Sequence, residues 1–260
     1  MQHLVFKGHT GQHPVLVTDE GNLRSLRFGT DERQSCIDLQ SPWKLQLAYT
    51  QWMATALLLH PCPDKFLLFG LGGCALPHFL QHHHPEARID VVEKEAQVIQ
   101  LAHSYFKLPT SDTLNIIHLD AVDFLGTAET PDYHVAFLDI FGPGAMAPAL
   151  FAADLYRSIL TRLTSDGVLV VNLWNGDKAL YNRALQAVRD ASDGQVLQMQ
   201  VKQRSNVILL IFPGEIPHKA IKKAQKNSPL YQQRYGLDFA HYLKRLRRTN
   251  RLSVLTALFQ

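Results

Sequence analysis

The chain has 260 residues and a formal net charge of +3, with 46% hydrophobic and 19% charged residues, which predicts one main globular domain with appendages. No apolar run is long enough to cross a membrane, and the first residues lack the basic start and apolar stretch of a secretory signal. Cys36, Cys62 and Cys74 have no CxxC spacing and cannot all pair, which predicts a reducing compartment, the cytoplasm, and no structural zinc.

Residues 1–45 predict a small β segment. Short apolar runs at residues 15–18 and 24–28 flank a turn cluster at residues 19–22, in the pattern of a β-hairpin. From about Trp43 the apolar spacing becomes helical, and it ends before Pro61.

Residues 46–213 predict the main domain, because strand and helix patterns alternate along them. The predicted strands are 65–69, 89–92, 114–119, 134–138, 168–173, 196–201 and 206–212, and the predicted helices are 75–82, 95–105, 148–163 and 179–191. This alternation predicts an α/β, Rossmann-like fold, with a mostly parallel sheet, right-handed crossovers and helices on both faces.

Residues 214–260 predict a basic helical extension. They contain ten Lys or Arg residues and two acids, whereas the rest of the chain is acidic overall. An apolar stripe runs through the extension at Phe239, Tyr242, Leu243 and Leu246. Two interpretations stay open: a surface that contacts nucleic acid or another polyanion, and a solvated helix face that docks on the acidic body.

A glycine loop follows the first strand of the main domain. Residues 70–75 match the G-x-G-x-x-G/A pattern between a strand and a helix, with Gly70, Gly72 and Gly73 in the loop. Glycines let the backbone turn sharply and approach a ligand, and a helix N-terminus offers free N–H groups to a negative group. The loop therefore predicts nucleotide binding, and a tight turn made only for packing is the alternative.

Three acids follow the carboxyl ends of successive predicted strands. Glu93 lies 21 positions after Gly72, close to the spacing at which an acid accepts hydrogen bonds from both ribose hydroxyls. Asp120, followed by Ala121, is placed to accept from an adenine amino group, and Asp139 faces the crevice where open α/β sheets bind ligands. The alternatives are an exposed loop charge or a helix cap. Acids at three strand ends suit a cationic adenosyl ligand better than an anionic pyrophosphate, which argues against a nicotinamide oxidoreductase.

The order of these motifs resembles the spermidine synthase (polyamine aminopropyltransferase) family over about residues 15–212. The segments that carry the resemblance are Gln34-Ser35, Tyr49, the Gly70 loop, residues 91–93, Asp120-Ala121, Leu138-Asp139 and residues 167–173. The resemblance implies a domain of the class I SAM-methyltransferase type. It implies binding of S-adenosylmethionine or its decarboxylated form, with methylthioadenosine or S-adenosylhomocysteine as product. It also implies that Glu93 holds the ribose and Asp120 the adenine, with Gln34 near the nucleotide.

The sequence departs from this family where the reacting groups bind. Gly73 stands where the family has an Asp that helps to hold the aminopropyl group, and Gly142 stands where a second Asp deprotonates the attacking amine. Thr50 and Gln51 replace the His-Glu pair that follows the family's Tyr. A protonated amine cannot attack until a base or a desolvated site removes its proton. The departures therefore argue against ordinary spermidine synthesis and leave Asp139 as the candidate catalytic acid.

The leading hypothesis is a cytoplasmic transferase that uses an S-adenosyl nucleotide, a small-molecule acceptor such as an amine, and no metal. The consecutive His82, His83 and His84 point in different directions on a helix and cannot share a metal. Trp174 and Asn175 either line a substrate pocket or cover the sheet edge. The alternatives are a non-catalytic family member that binds a nucleotide or a partner, and a methyltransferase that acts on nucleic acid through the basic extension. A homodimer and no membrane contact are the remaining expectations.

Overall fold

The structure is a computed structural model that describes residues 2–10, 13–29, 32–60, 62–127, 133–142 and 145–250. Pro61, before which the first predicted helix ends, and residues 251–260 of the basic extension lie outside the described residues. Within these ranges no helix combines the length and the apolar character that a membrane crossing needs.

The amino-terminal segment is a four-stranded antiparallel sheet, larger than the predicted hairpin. Its strands, in spatial order, are β1 (Gln2–Thr10), β2 (His13–Glu20), β3 (Leu23–Arg27) and β4 (Ser35–Asp38). The predicted hairpin is β2–β3, in which Gly21 has a positive φ of 59° that suits the tight turn. The sequence pattern missed β1 because Thr10 is its one buried residue, so no apolar alternation marks the strand.

A short helical segment links the amino-terminal sheet to the main sheet. It consists of α1 (Ala48–Met53) and a following 3₁₀ helix, Ala54–Leu58. All five residues of the 3₁₀ helix are buried, which agrees with the helical apolar spacing of the sequence.

The main sheet has seven strands. They are β5 (Lys65–Phe69), β6 (Arg88–Glu93), β7 (Leu114–His118), β8 (Tyr133–Leu138), β11 (Leu163–Trp174), β12 (Val196–Gln200) and β13 (Asn206–Ile211). Their spatial order is β12-β13-β11-β8-β5-β6-β7. The pairs from β11 to β7 are parallel, whereas β13 runs antiparallel to both β11 and β12. The predicted mostly parallel sheet is confirmed.

Two hydrophobic cores cover the two faces of this sheet. Phe66 and Leu68 of β5 point into one core, and Leu67 and Phe69 point into the other, because side chains alternate along a strand. The first core receives α2 (Ala75–His83) and α3 (Ala96–Tyr105), and the second receives α4 (Ala121–Leu125), α5 (Ala153–Leu160) and α6 (Lys178–Ala191). The prediction of helices on both faces is confirmed.

The segment between β8 and β11 differs from the predicted single helix over residues 148–163. It forms a small hairpin of β9 (Phe141–Gly142) and β10 (Ala145–Met146), then a 3₁₀ helix (Pro148–Phe151), then α5. Ala152 is extended, with φ −105° and ψ 123°, and separates the two helical pieces. Strand β11 also begins earlier than predicted, because Leu163 already pairs with Tyr133 before a register shift at Val168.

The carboxyl-terminal extension forms three helices, α7 (His218–Lys226), α8 (Ser228–Tyr235) and α9 (Phe239–Thr249). The predicted apolar stripe of α9 is buried. Helix α9 packs on β12 and on the 3₁₀ helix Ala54–Leu58. The exposed cations of α7 and α9 include Lys219, Lys222, Lys223, Lys226, Lys244 and Arg248. The extension thus docks through apolar packing and turns a basic face to solvent.

Candidate active site

A cavity of about 1530 Å³ opens at the carboxyl ends of β5, β6, β7, β8 and β11. It exceeds the roughly 300–1,000 Å³ of an ordinary small-molecule site, so it has room for two substrates side by side. The amino-terminal sheet contributes to its wall through residues such as Leu26, Gln34 and Ser35. Ligand sites of open α/β sheets lie at this edge, where the loops after successive strands converge.

The glycine loop forms one wall of the cavity at the end of β5. Gly70 has a φ of +98°, and a Cβ atom there would lie 2.5 Å from the carbonyl oxygen of Asp139. Gly72 also has a positive φ, +52°. Both conformations favour glycine, and at Gly70 the close backbone approach excludes every other residue. The predicted loop is therefore a backbone turn pressed against the end of β8.

Gly73 packs against a buried ring. A Cβ atom at this position would lie 2.8 Å from Cδ1 and Cε1 of Phe106 and 3.0 Å from Oγ of Ser35, and Phe106 is fully buried. A side chain at residue 73 therefore cannot be added unless Phe106 moves. Glycine in place of the family's Asp at residue 73 therefore fits the packing of the loop, because Phe106 fills the space that a larger side chain would need.

Glu93 ends β6 and is buried at the base of the glycine loop. The N–H of Leu71 donates to its Oε2 at 2.9 Å, and the N–H of Glu95 donates to its Oε1 at 2.9 Å. Burial raises the pKa of Glu93, and the backbone donors at Leu71 and Glu95 oppose that rise. Both oxygens are thus fixed in place, and the residue lines the cavity with further acceptor capacity on each oxygen. The alternative of an exposed loop charge is wrong.

Asp120 is the N-cap of α4, and its Oδ1 accepts from the N–H of Val122 at 2.8 Å. Ala121 is the first residue of that helix and is buried. Both residues line the cavity. The capping role and a position at the site therefore coexist, because a cap occupies one carboxylate oxygen and an aspartate has two. The adenine contact stays a prediction.

Asp139 follows β8 and is half-buried, whereas Glu93 is buried. Nδ2 of Asn172 donates to Oδ1 of Asp139 at 2.9 Å, and the hydroxyl of Tyr49 is near enough to act on the same carboxylate. Burial raises the pKa of Asp139, and these two donors counter the rise. A partly desolvated carboxylate on the wall of an open cavity is disposed to attract a cation. Asp139 does not cap a helix in the described structure.

Gln34 reaches the site through its backbone. Its carbonyl oxygen accepts from the hydroxyl of Tyr49 at 2.9 Å, and its N–H donates to the carbonyl of Leu26 at 2.9 Å. Burial, and then the nearby Asp139, raise the pKa of Tyr49 well above its usual range, which keeps the phenol neutral. The predicted place of Gln34 near the ligand agrees with its position on the cavity wall.

The sequence analysis did not single out Asn172 or Asn206, which also line the cavity. Asn172 lies within β11 among apolar residues, so the sequence pattern indicates only a buried strand at this position. A buried amide within such a run was the available signal, since a buried polar group needs partners. Trp174 lines the cavity, whereas Nδ2 of Asn175 donates to Oε1 of Gln200 at 2.7 Å.

The other sequence candidates lie outside the cavity lining. His84 is buried and hydrogen-bonds the hydroxyl of Tyr235 at 3.0 Å, whereas His82 is exposed. Burial raises the pKa of Cys74, which makes it a packing residue. Across the ranges that the structure describes, no group of three or more His, Cys, Asp or Glu could hold a metal ion.

The chain is similar in sequence to known transferases. No model of a known protein family matches the chain. The polyamine aminopropyltransferase of Neisseria meningitidis serogroup A is 30% identical over 243 residues, which cover 93% of this chain and 92% of that protein. The chain belongs to the polyamine aminopropyltransferase family. It is accordingly a transferase.

A second relative comes from methyltransferases. The mouse eEF1A lysine and N-terminal methyltransferase is 29% identical over 143 residues, which cover 52% of this chain and 20% of that protein. About half of this chain is therefore also similar in sequence to a part of a methyltransferase.

Solved structures share the fold of this aminopropyltransferase family member. A probable spermidine synthase of Corynebacterium glutamicum has a TM-score of 0.70 at 18% identity, with 84% of this chain and 85% of that chain covered. A spermidine synthase in complex with the transition-state analogue AdoDATO has a TM-score of 0.66 at 18% identity, over 90% and 85%. Human methyltransferase-like protein 13 in complex with SAH has a TM-score of 0.57 at 22% identity, over 82% and 96%. The predicted fold of the class I methyltransferase type is confirmed.

Proposed function

We propose that the cavity binds an S-adenosyl nucleotide and that the protein transfers a group from its sulfonium centre to a small amine acceptor. The observation that carries the proposal is the buried Glu93, whose two oxygens are fixed by backbone donors beside the glycine loop. A carboxylate held in this way is ready to accept from two neighbouring hydroxyls, which is what a ribose offers. Asp120 is then placed for the adenine amino group.

Asp139 supplies the electrostatic part of the proposed reaction. The sulfonium carries a positive charge, and a half-buried carboxylate close to it stabilises that charge. The acceptor nitrogen attacks the carbon next to sulfur, the C–S bond breaks, and its electron pair stays on sulfur as a neutral thioether. The acceptor nitrogen then loses a proton. Positioning of the two substrates and the field of Asp139 provide the catalysis.

The donor is S-adenosylmethionine or its decarboxylated form, and the loop gives a reason to favour the first. Gly73 packs against Phe106 and leaves no side chain there to hold a cationic aminopropyl group. The N–H groups of Gly70, Leu71 and Cys74 already donate within the protein, so the N–H groups of Gly72 and Gly73 are the loop donors that suit the carboxylate of an intact methionine. This favours methyl transfer, whereas family membership favours aminopropyl transfer.

Calorimetric titration with S-adenosylmethionine, its decarboxylated form and methylthioadenosine tests the proposal. We expect all three to bind, and S-adenosylmethionine to bind more tightly than the decarboxylated form. A preference for the decarboxylated form would support aminopropyl transfer instead. Failure of all three to bind would reject the proposed function.

The basic face of α7 and α9 supports a second candidate, action on a nucleic acid. Exposed lysines at positions 219, 222, 223 and 226 repeat at helical spacing on α7. Like charges at this spacing disfavour the helix slightly, so a polyanionic partner would stabilise them. Binding to RNA that weakens steeply with added salt would support this candidate, and salt-independent behaviour would remove it.

A further inference from the structure

Two asparagine side chains connect Asp139, at the end of β8, across β11 to β13. Nδ2 of Asn206 donates to Oδ1 of Asn172 at 3.0 Å, and Nδ2 of Asn172 donates to Oδ1 of Asp139 at 2.9 Å. The three residues lie at the ends of adjacent strands: β13, β11 and β8. Asn172 is buried, so its amide depends on protein partners for its hydrogen bonds.

The chain of amides has a direction. An asparagine amide has one acceptor oxygen and one donor nitrogen. Because Asn206 presents its nitrogen, the oxygen of Asn172 is occupied and the nitrogen of Asn172 must face Asp139. In the opposite orientation the oxygen of Asn172 would face a carboxylate oxygen, and two acceptors would repel one another. The Asp139 carboxylate, which only accepts, and the donor of Asn206 therefore hold the Asn172 amide in the same orientation from its two ends.

The position of Asn206 is itself fixed by the sheet. Asn206 pairs with Trp174 in the antiparallel register of β11 and β13. Its carbonyl oxygen accepts from the N–H of Val201 at 3.0 Å and from Nε2 of Gln200 at 3.1 Å. The amide donor thus projects from a strand that is held on both sides, which suits a residue that orients another.

We propose that Asn206 is a positioning residue for the transfer reaction: by orienting the Asn172 amide, it keeps the Asp139 carboxylate ionised and directed at the positive charge of the substrates. The part of this inference that concerns the substrates rests on the proposed function. The orientation of the amide is a property of the free protein and can be measured without a ligand.

Other groups also act on Asp139. From α1, the hydroxyl of Tyr49 donates to the carbonyl of Gln34 at 2.9 Å and also acts on the nearby carboxylate of Asp139. Glu93 and Asp120 line the same cavity from the ends of β6 and β7, and Arg204 lines it from the turn between β12 and β13. Because Tyr49 has this second acceptor, the donor from Asn172 is the more dependable one.

The variant Asn206→Asp tests the inference, because it replaces the donor at residue 206 by an acceptor. We expect the amide of Asn172 to turn toward the new carboxylate and to present its oxygen to Asp139. The carboxyl titration of Asp139, followed by NMR of ¹³C-labelled aspartate in the free protein, should then move to higher pH. Asn206→Leu removes the donor without adding charge and should move the titration in the same direction by less.

The matched control is Ser205→Asp, which adds the same charge at the neighbouring, exposed position that also lines the cavity. If the control shifts the Asp139 titration as much as Asn206→Asp does, the effect is one of charge, and the proposal is overturned. An unchanged titration in both Asn206 variants overturns it as well. Should Asn206→Asp not fold, Asn206→Leu decides the question in the same measurement.

Ligand binding gives a second measurement. In Asn206→Leu, which adds no charge to the cavity wall, we expect about a tenfold loss of affinity for the cationic S-adenosylmethionine and a smaller loss for the neutral methylthioadenosine. Equal losses for the two nucleotides would contradict a role through the charge of Asp139. If the unaltered protein binds neither nucleotide, the proposed function fails, while the NMR titration still decides the role of Asn206.

Discussion

The two ends of the cavity are held in different ways. At the glycine-loop end, formed by Gly70, Gly72 and Glu93, backbone atoms make the contacts that fix the geometry. Gly70 lies against a carbonyl of the next strand, and both oxygens of Glu93 accept from backbone N–H groups. Such an arrangement persists when neighbouring side chains change, provided that the glycines stay.

At the amide end, formed by Asp139, Asn172 and Asn206, side chains hold other side chains. Each hydrogen bond there depends on the identity of a single residue. One substitution can therefore reverse or remove a contact without disturbing the backbone. The geometry of the glycine-loop end is therefore the less sensitive of the two to side-chain substitution.

The largest expected effect comes from Gly70→Ala at the glycine-loop end. The new Cβ would lie 2.5 Å from the carbonyl oxygen of Asp139, at a φ of +98°. We expect the free energy of unfolding to fall by about 3 kcal/mol or more, since the backbone must shift. Urea denaturation measures the change.

Gly21→Ala is the matched control for Gly70→Ala. Gly21 has a φ of +59° and no atom within 4 Å of an added Cβ, so it isolates the cost of the backbone conformation, about 1 kcal/mol. Equal losses in the two variants would show that the contact between the loop and β8 is not tight, and the comparison between the two ends would fail.

The next effect concerns Glu93→Ala, which removes the proposed ribose acceptor. We expect nucleotide affinity to fall by about 1–3 kcal/mol, because two hydroxyls lose their partner. Glu93→Gln keeps one acceptor oxygen and should lose less. Calorimetry with methylthioadenosine measures both variants. An affinity that is unchanged in Glu93→Ala would reject the ribose role.

The sequence predicted the glycine-loop end because its signals are local. A strand, a turn and a helix follow one another around Gly70, and Glu93 comes at the end of the next strand. In a parallel sheet successive strand ends meet at one edge, so order along the chain was enough to bring these residues together. The same logic placed Asp120 and Asp139 on the cavity wall.

The amide end was beyond local patterns. Asn172 meets Asn206 because β13 runs antiparallel to β11 in a particular register, and a register between distant strands leaves no mark in either strand alone. The contact of Tyr49 with the carbonyl of Gln34 likewise depends on how the amino-terminal sheet docks. The break at Ala152 was missed for a similar reason, since an extended alanine has no sequence signature.

The smallest expected effect on stability, and one of opposite sign, comes from Asp139→Asn at the amide end. Burial raises the pKa of Asp139 in the folded protein above its value in the unfolded chain. Between these two pKa values the folded protein binds more protons, so the free energy of unfolding decreases as pH rises through that window. Above the window the cost of the buried charge is fully present.

Asparagine at residue 139 removes that cost and can still accept from Asn172. We expect the variant to match the unaltered protein below the window and to be more stable above it, while it binds S-adenosylmethionine less tightly. Denaturation from pH 4 to pH 8 measures the first effect, with Asp112→Asn, an exposed acid outside the cavity lining, as the control. If the free energy of unfolding and the affinity for S-adenosylmethionine both fell in Asp139→Asn, Asp139 would be a residue that stabilises the fold. The inference that its charge destabilises the free protein would then be wrong. A rise in stability together with a loss of affinity is expected of a carboxylate that binds a cationic ligand, because its charge destabilises the free protein and the ligand neutralises that charge.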